Sequence, residues 1–147
     1  MNNDLLFVYG SLLNGDNEFG QYLKQNTKLV NSGFFKGILY DCGEYPGAIE
    51  QTYGYKIKGA LYRLNNPLTA FALLDDYEGF GEDQKQPNLF VRKLISVECD
   101  NENINCWIYL YNLPVAGLTE ITSGDYMAYT KAKKKSLRGF TGRDWII

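Results

Sequence analysis

The chain has 147 residues, of which 45% are hydrophobic, and this favours one globular domain with one sizeable core. Its 15 basic and 17 acidic residues give a net charge of −2, so net charge favours neither a nucleic-acid partner nor an anionic membrane surface. Because the sequence contains no histidine, Ser-His-Asp and Cys-His catalysis are excluded, and acid-base chemistry must use a carboxylate, Tyr, Lys or Cys.

The first predicted elements surround a loop near the N-terminus. Leu5 to Val8 form an apolar run that stops before Gly10, which predicts a buried strand entering a turn. Glu18 to Lys24 have apolar side chains at helical spacing and predict a short helix. Phe34 to Tyr40 and Tyr55 to Leu64 predict two strands, and the alternation in the second indicates one polar and one apolar face.

A Pro-Gly pair separates these two strands. We interpret the segment Tyr45 to Ala48 as a tight turn, with a substrate-facing loop as the alternative. In the second case Pro46 and Gly47 would contact a substrate.

The signals for a helix are clearest after the strand that ends at Leu64. Asn66 is a good N-cap, Pro67 suits the first helical position, and an apolar stripe follows. The helix is predicted to end near Gly79, directly after Glu78.

The remaining sequence predicts a hairpin and a last helix. Leu89 to Glu98 and Ile104 to Asn112 are long alternating segments joined by a polar turn. Ser123 or Asp125 would cap a helix that runs to Lys135.

The order of these elements indicates the fold class. Strands outnumber helices and do not alternate strictly with them, so we predict an α+β fold for a single domain over residues 1–147. The sheet is expected to be a small, mixed, mostly antiparallel β-barrel with a few flanking helices. If the barrel is open, the strand face that carries Trp107, Tyr109 and Tyr111 would line a pocket for a small polar ligand.

The spacing of the cysteines and the hydropathy of the chain indicate its cellular compartment. Cys42, Cys99 and Cys106 are odd in number and lack C-x-x-C spacing, which indicates neither a disulfide framework nor a zinc site. No apolar run reaches the length of a membrane span, and Met1 to Asp4 lack the positive region of a signal peptide. We therefore expect a cytoplasmic protein without a metal or a membrane partner.

The first candidate for chemistry is the loop Tyr9-Gly10-Ser11-Leu12. It lies where a strand stops and its backbone amides lose their ladder partners. Gly10 permits close approach of a ligand and Ser11 adds a hydroxyl donor, so the loop could hold a carboxylate or an oxyanion. An ordinary strand-end turn is the alternative, and the four residues alone favour it.

The second candidate is Glu78, which lies next to Tyr77 and close to Phe80. A carboxylate held near these rings would be partly desolvated, which raises its pKa towards the range useful to a general base. The neighbouring acidic residues are interpreted as the solvated end of the helix: Asp75, Asp76, Glu82 and Asp83.

Seven short motifs in register resemble the γ-glutamyl cyclotransferase-like family, in the branch that includes γ-glutamylamine cyclotransferase and the plant AIG2-like proteins. In chain order they are FVYGSL, GILYDCGEYPGAI, KGALYRL, LLDDYEGF, FVRKLISV, CWIYLY and SGDYMAY. Each motif is permissive alone, but together they cover nearly the whole chain, and this makes the resemblance specific.

The resemblance implies a barrel cavity that binds a γ-glutamyl group. Residues 9–12 would contact the substrate through their amides, and Glu78 occupies the position of the family's catalytic glutamate. Similar enzymes convert a γ-glutamyl amide into 5-oxoproline and a free amine without a cofactor. The substrate's own α-amino group attacks its γ-carbonyl, and Glu78 would act first as base and then as acid. The expected partner is a small γ-glutamyl compound.

One position departs from the family pattern. Relatives often carry Tyr-x-Arg where this chain has Phe90-Val91-Arg92, so a possible hydroxyl donor near the site is missing. Arg92 is expected either to hold a carboxylate or to orient Glu78, and a surface arginine on a strand is the alternative.

Two other functions stay open at this point. The fold can serve as a binding or regulatory module without turnover, because fold resemblance does not prove function. An amide hydrolase that uses Glu78 and water would instead release free glutamate.

Overall fold

The computed structural model describes residues 3–10 and 18–137. In chain order the elements in these ranges are β1 (Leu5–Val8), α1 (Glu18–Asn26), β2 (Thr27–Asp41), β3 (Pro46–Glu50), β4 (Tyr55–Leu64), α2 (Pro67–Glu78), β5 (Phe90–Cys99), β6 (Glu102–Tyr111), β7 (Thr119–Glu120) and α3 (Tyr126–Leu137). No helix within these ranges has the length and apolar character that a membrane span needs.

Five of the strands in the described ranges close into a mixed barrel. Their order is β2-β4-β1-β6-β5, and β5 pairs back with β2 to complete the circle. Neighbouring strands are antiparallel except for β1 and β6, which run parallel. The short strands β3 and β7 both pair with β2 outside this circle. The predicted small, mostly antiparallel barrel with flanking helices is confirmed.

Alternation along β6 separates two groups of core residues, because successive side chains of a strand point to opposite faces. Cys106, Ile108 and Leu110 belong to a first cluster that also holds buried residues of β1, β2, β4 and β5. Trp107 and Tyr109 belong to a second cluster, which includes the buried residues of α2. The aromatic face predicted from the sequence therefore packs beneath α2.

Local signals define both ends of α2. The Asn66 side chain accepts a hydrogen bond from the Thr69 amide at 3.3 Å, and Pro67 stands at the first helical position. Gly79 follows the last turn with φ of 73°, the left-handed conformation that glycine adopts at little steric cost. The helix consequently ends at Glu78, as predicted, and the chain turns sharply there.

Helix α3 is capped by Asp125, one of the two predicted caps, whose carboxylate accepts from the Ala128 amide at 3.0 Å. The helix is fastened to the end of β2 through Asp41. That carboxylate accepts from the Tyr129 hydroxyl at 2.6 Å and from the Lys133 ammonium at 3.0 Å.

The prediction of a tight turn at Tyr45 to Ala48 is wrong. Residues Pro46–Glu50 form strand β3, which pairs with β2 from Asp41↔Pro46 to Gly37↔Glu50. Proline is compatible with this position because it is the first residue of its strand. The reversal lies just before it, where the Cys42 amide donates to the Tyr45 carbonyl at 2.9 Å.

Strand β2 also begins earlier than predicted. Residues 27–33 pair with β4, apart from Val30 at an irregularity in the register, although their side chains are all at least partly exposed. A mostly polar segment of this kind lacks the alternation that marks a half-buried strand, and its backbone pairing with β4 determines its conformation.

Candidate active site

A cleft of about 220 Å³ opens where the end of β1, the start of β3 and the end of α2 approach β5 and β6. The described residues that line it are Leu6, Phe7, Val8, Tyr9, Gly10, Tyr45, Pro46, Tyr77, Glu78, Leu89, Phe90 and Tyr109. Among these residues Glu78 carries the only formal charge, and the rest are apolar or aromatic apart from the tyrosine hydroxyls.

The structure brings part of the predicted site together. Four predicted site residues line the cleft: Tyr9, Gly10, Pro46 and Glu78. Three others are not among its described lining residues: Gly47, Arg92 and Tyr111. Ser11 and Leu12 lie outside the described residues.

Glu78 projects from the last residue of α2 and is partly buried. No hydrogen bond to its carboxylate comes from residues 3–10 or 18–137. Burial raises the pKa of Glu78 to about 7, because the apolar surroundings replace water that would solvate the charged form. A carboxylate with this pKa both accepts and returns protons near neutral pH.

The Tyr9 hydroxyl ties three strands together. It donates to the Tyr109 carbonyl at 2.7 Å and accepts from the Ala48 amide at 3.2 Å. Burial, assisted by the charge of Glu78, raises the pKa of Tyr9 far above its ordinary value. Tyr9 therefore forms a fixed wall of the cleft and exchanges no proton near neutral pH.

Close packing shapes the part of the cleft that Gly10 and Pro46 line. A Cβ atom added at Gly10 would lie 2.5 Å from Pro46 Cγ, so a larger residue at position 10 would push the proline aside. Gly47 is packed in a similar way, since an added Cβ would lie 2.8 Å from the Tyr111 ring. The two glycines allow the end of β1 and the start of β3 to approach their neighbours closely.

Asp75 lies in an ion pair, so its interpretation as part of a solvated helix end is wrong. Arg92 binds it through two contacts, Nε to Oδ1 at 2.8 Å and Nη2 to Oδ2 at 3.1 Å. The Tyr109 hydroxyl donates to the same Oδ1 atom at 2.6 Å. These partners are 17 and 34 residues away in the sequence, which explains why the local acidic run concealed them.

The other acidic residues near the end of α2 match the prediction, since Asp76, Glu82 and Asp83 are exposed. A glutamine side chain donates to one of them, from Gln84 to Asp76 at 2.8 Å.

Arg92 is held between aromatic rings as well as by Asp75. Its guanidinium carbon lies 4.2 Å from the ring centre of Phe71 and 4.6 Å from that of Trp107. Stacking of this kind is favourable because the ring faces are negative. The carboxylate that Arg92 holds is Asp75 of this chain, and Arg92 is not among the described lining residues of the cleft, so its expected contact with a substrate or with Glu78 stays a prediction.

Phe90, the residue expected to depart from the pattern of the resembled family, lines the cleft. Its ring packs edge-on against Tyr45, with centroids 5.9 Å apart, and against Tyr111 at 5.7 Å. Tyr111 thus supports the cleft from behind Phe90, and this wall is apolar.

A metal centre has no support in the described part of the chain. No group of three or more His, Cys, Asp or Glu side chains converges there in an arrangement that could hold an ion. The chemistry offered by the cleft is proton transfer through one carboxylate, combined with exclusion of water by aromatic and apolar walls.

Comparison with known families identifies the family of the chain. The profile of the family described as "Gamma-glutamyl cyclotransferase, AIG2-like" matches residues 6–128. The chain belongs to this family. The resemblance drawn from the seven motifs is thereby confirmed.

Two relatives that carry the family name are similar to this chain. YtfP of Escherichia coli K12, named a gamma-glutamylcyclotransferase family protein, is 30% identical over 123 residues, which cover 83% of this chain and 95% of YtfP. The solution structure of E. coli ytfP superposes with a TM-score of 0.61 at 29% identity, covering 86% of this chain and 98% of that one.

A second relative, from Niallia circulans, is named gamma-L-glutamyl-butirosin B gamma-glutamyl cyclotransferase. It is 34% identical over 113 residues, which cover 73% of this chain and 66% of that protein. The crystal structure of YkqA from Bacillus subtilis matches with a TM-score of 0.68 at 24% identity, covering 91% of this chain and 43% of YkqA. The chain therefore spans less than half of YkqA, and this likeness shows the fold alone.

Proposed function

We propose that this protein is a γ-glutamyl cyclotransferase that releases 5-oxoproline and a free amine from a γ-glutamyl amine or γ-glutamyl amino acid. The observation that carries the proposal is Glu78, a partly buried carboxylate with a pKa of about 7 and the only formal charge among the described residues of the cleft. Membership of the family and the name of the Niallia circulans relative support the same reaction class.

In the proposed reaction Glu78 serves as base and then as acid. It takes a proton from the substrate's α-ammonium group, and the freed nitrogen attacks the γ-carbonyl carbon to close a five-membered ring. As the bond from that carbon to the leaving nitrogen breaks, Glu78 returns the proton to that nitrogen. The attacking nitrogen loses a second proton as the ring amide forms, and the released amine takes up this proton and leaves as an ammonium ion. The reaction consumes no water and needs no redox group, so atoms, charge and electrons balance within the substrate and one carboxylate.

The walls of the cleft suit an intramolecular attack. A flexible γ-glutamyl chain must fold so that its two ends meet, and confinement supplies much of the acceleration by removing unproductive conformers. Tyr9, Pro46 and Phe90 line the same cleft as Glu78 and present ring surface there. Amides at the strand end near Gly10 are the proposed donors to the charge that develops on the carbonyl oxygen.

The reaction class is tested by the products. Purified protein would be incubated with a panel of γ-glutamyl amines and γ-glutamyl dipeptides, and 5-oxoproline, glutamate and the amine would be quantified by mass spectrometry. We expect 5-oxoproline and the amine in equal amounts from at least one compound. Free glutamate in place of 5-oxoproline would identify a hydrolase, and ligand binding without product would identify a binding module.

A blocked substrate provides the matched control. When the α-amine is acetylated, the nitrogen can no longer attack, while the amide bond stays open to water. We expect no reaction with the acetylated compound, whereas a hydrolase would cleave it.

The pH dependence of kcat/KM follows from the pKa of Glu78. The base must be ionised, and burial raises the pKa to about 7, so activity is low in acid, rises through neutrality and levels off above it. One unit below that pKa, at pH 6, kcat/KM should be about tenfold below the plateau. Initial rates between pH 5.5 and 8.5 check this, and a flat profile from pH 5.5 upwards would remove Glu78 as the titrating base.

A further inference from the structure

Tyr109 lines the cleft, yet its hydroxyl hydrogen is engaged elsewhere. The hydroxyl oxygen lies 2.6 Å from Oδ1 of Asp75, and Arg92 binds both oxygens of that carboxylate. An ionised carboxylate only accepts hydrogen bonds, so the hydrogen between these two groups belongs to the tyrosine. The two hydrogen bonds from the Arg92 guanidinium hold the Asp75 carboxylate in position to accept the hydrogen bond from Tyr109.

A hydroxyl whose hydrogen is used can offer a ligand only its lone pairs. The Tyr109 hydroxyl can therefore act towards a ligand only as an acceptor. Burial, the hydrogen bond to Asp75 and the charges of Asp75 and Glu78 raise the pKa of Tyr109, so the hydroxyl keeps its hydrogen at all ordinary pH values. Glu78 follows Asp75 by three residues in α2, so the two side chains are neighbours on the helix surface and Glu78 lies on the same side of α2 as the group that holds the hydroxyl.

Among the polar side chains of the cleft, which also include Tyr45 and Tyr77, the two discussed here share one polarity. Glu78 and Tyr109 are both acceptors, and no Lys or Arg side chain is among the described lining residues. Such a surface complements a group with several N–H donors and a positive charge, and it disfavours a carboxylate or a carbonyl oxygen.

We infer that the Tyr109 hydroxyl accepts a hydrogen bond from the α-ammonium group of the γ-glutamyl substrate, beside Glu78. Asp75 and Arg92 are positioning residues that hold Tyr109 in this acceptor state. The inference rests on the proposed function for the identity of the ligand. After Glu78 removes one proton, the bond to Tyr109 restrains the rotation of the nitrogen and directs its lone pair to the γ-carbonyl carbon.

The arrangement also explains why Asp75 is paired with an arginine. With asparagine at position 75, the amide could donate to Tyr109, and the tyrosine hydrogen could then turn towards the cleft. Lysine at position 92 would keep the charge but lose the two-point fork. The preference for an ammonium group should therefore weaken strongly with Asp75→Asn and less with Arg92→Lys.

The test measures affinity for two ligands that differ only at the α-amine. The first is the N-methyl sulfonamide of L-homocysteic acid, in which a sulfonyl group replaces the γ-carbonyl and blocks formation of 5-oxoproline. The second is 4-(methylsulfamoyl)butanoic acid, which lacks the amine. Both would be titrated calorimetrically at pH 8 into the wild type, Tyr109→Phe, Asp75→Asn, Arg92→Lys and the control Tyr62→Phe, which removes a hydroxyl from β4 outside the cleft.

We expect the wild type to prefer the amino ligand and Tyr109→Phe to reduce that preference about tenfold or more, the usual effect of losing a hydrogen bond to a charged group. Asp75→Asn should reduce it several-fold, Arg92→Lys less, and Tyr62→Phe not at all. A general loss of structure would lower the affinity for both ligands by the same factor and leave the ratio of the two affinities unchanged. An unchanged ratio in Tyr109→Phe, or a wild type without preference, overturns the inference.

The titrations are independent of turnover. A wild type that shows the preference and its loss in Tyr109→Phe, but makes no 5-oxoproline, would refute the proposed reaction and support the ammonium site. If the wild type makes 5-oxoproline and Tyr109→Phe keeps the full preference, the proposed reaction is supported and the ammonium site at Tyr109 is refuted. If Tyr109→Phe is too unstable to titrate, the ratio of the two ligand affinities is measured in Asp75→Asn, and an unchanged ratio in that variant overturns the inference.

Discussion

Replacing Glu78 with Gln should lower kcat/KM for 5-oxoproline formation by about 10² to 10⁴-fold, the usual worth of a positioned general base. Glutamine keeps the shape and hydrogen-bonding size of the side chain but cannot take the proton of an ammonium group. The measurement is the initial rate at pH 8 with the best substrate of the panel, where the wild-type carboxylate is ionised. Full activity in this variant would remove Glu78 from the mechanism.

The matched control is Asp76→Asn, the same carboxylate-to-amide change two residues earlier. Asp76 is exposed and contacts Gln84, away from the cleft, so its rate should stay within about twofold of the wild type. A loss as large as that of Glu78→Gln would show that the wrong carboxylate has been assigned.

The Glu78→Gln variant should also unfold at an equal or higher temperature than the wild type at pH 8. Burial raises the pKa of Glu78 above its ordinary value, so between pH 4.5 and about 7 the folded state holds more protons at this site than the unfolded state. Stability contributed by this site therefore falls as pH rises through that window. A lower melting temperature would indicate that Glu78 has a structural role. It would also weaken the conclusion that the lower rate of Glu78→Gln reports the loss of a base.

Replacing Leu74 with Ala should lower the free energy of unfolding by about 2–5 kcal/mol, the range for buried leucines. The side chain is 0% exposed and belongs to the core cluster between α2 and the barrel. Because Glu78 follows one turn later on the same helix, the cavity would also loosen the base. Urea unfolding followed by circular dichroism measures the change.

Leu68→Ala is the matched control, with the same atoms removed from the same helix. Leu68 is 86% exposed, so its unfolding free energy should change by no more than about 0.5 kcal/mol. Similar effects for the two variants would contradict the packing of α2 on the barrel.

The parts of the fold that sequence predicts well are those whose signals are local. Asn66, Pro67 and Gly79 each define a helix terminus by their own backbone chemistry, and all three lie where the sequence predicts. Alternation along β6 assigns its two faces for the same reason, since it depends only on the strand's own residues. Glu78 could be singled out because Tyr77, one of the two aromatic neighbours used in that prediction, also lines the cleft, although Phe80 is not among the described lining residues.

The parts that sequence misses depend on distant partners. Strand β3 has the composition of a turn, and only its pairing with β2 makes it extended. Asp75 looks like its acidic neighbours until Arg92 and Tyr109 are brought to it from two strands of the hairpin. No local pattern distinguishes a carboxylate that will be paired across the fold from one that will face water.

Closure of the barrel has a consequence for the order in which the molecule is assembled. Strands β1 to β4 are complete at residue 64, but β1 then lacks its neighbour β6, and the pairing of Phe34 with Glu98 cannot yet form. Such unpaired strand edges can form hydrogen bonds with other chains until the hairpin of β5 and β6 has been made and has paired with them. Since the cleft takes Gly10 and Pro46 from the early strands and Phe90 and Tyr109 from the late ones, a nascent chain has no cleft until the hairpin docks.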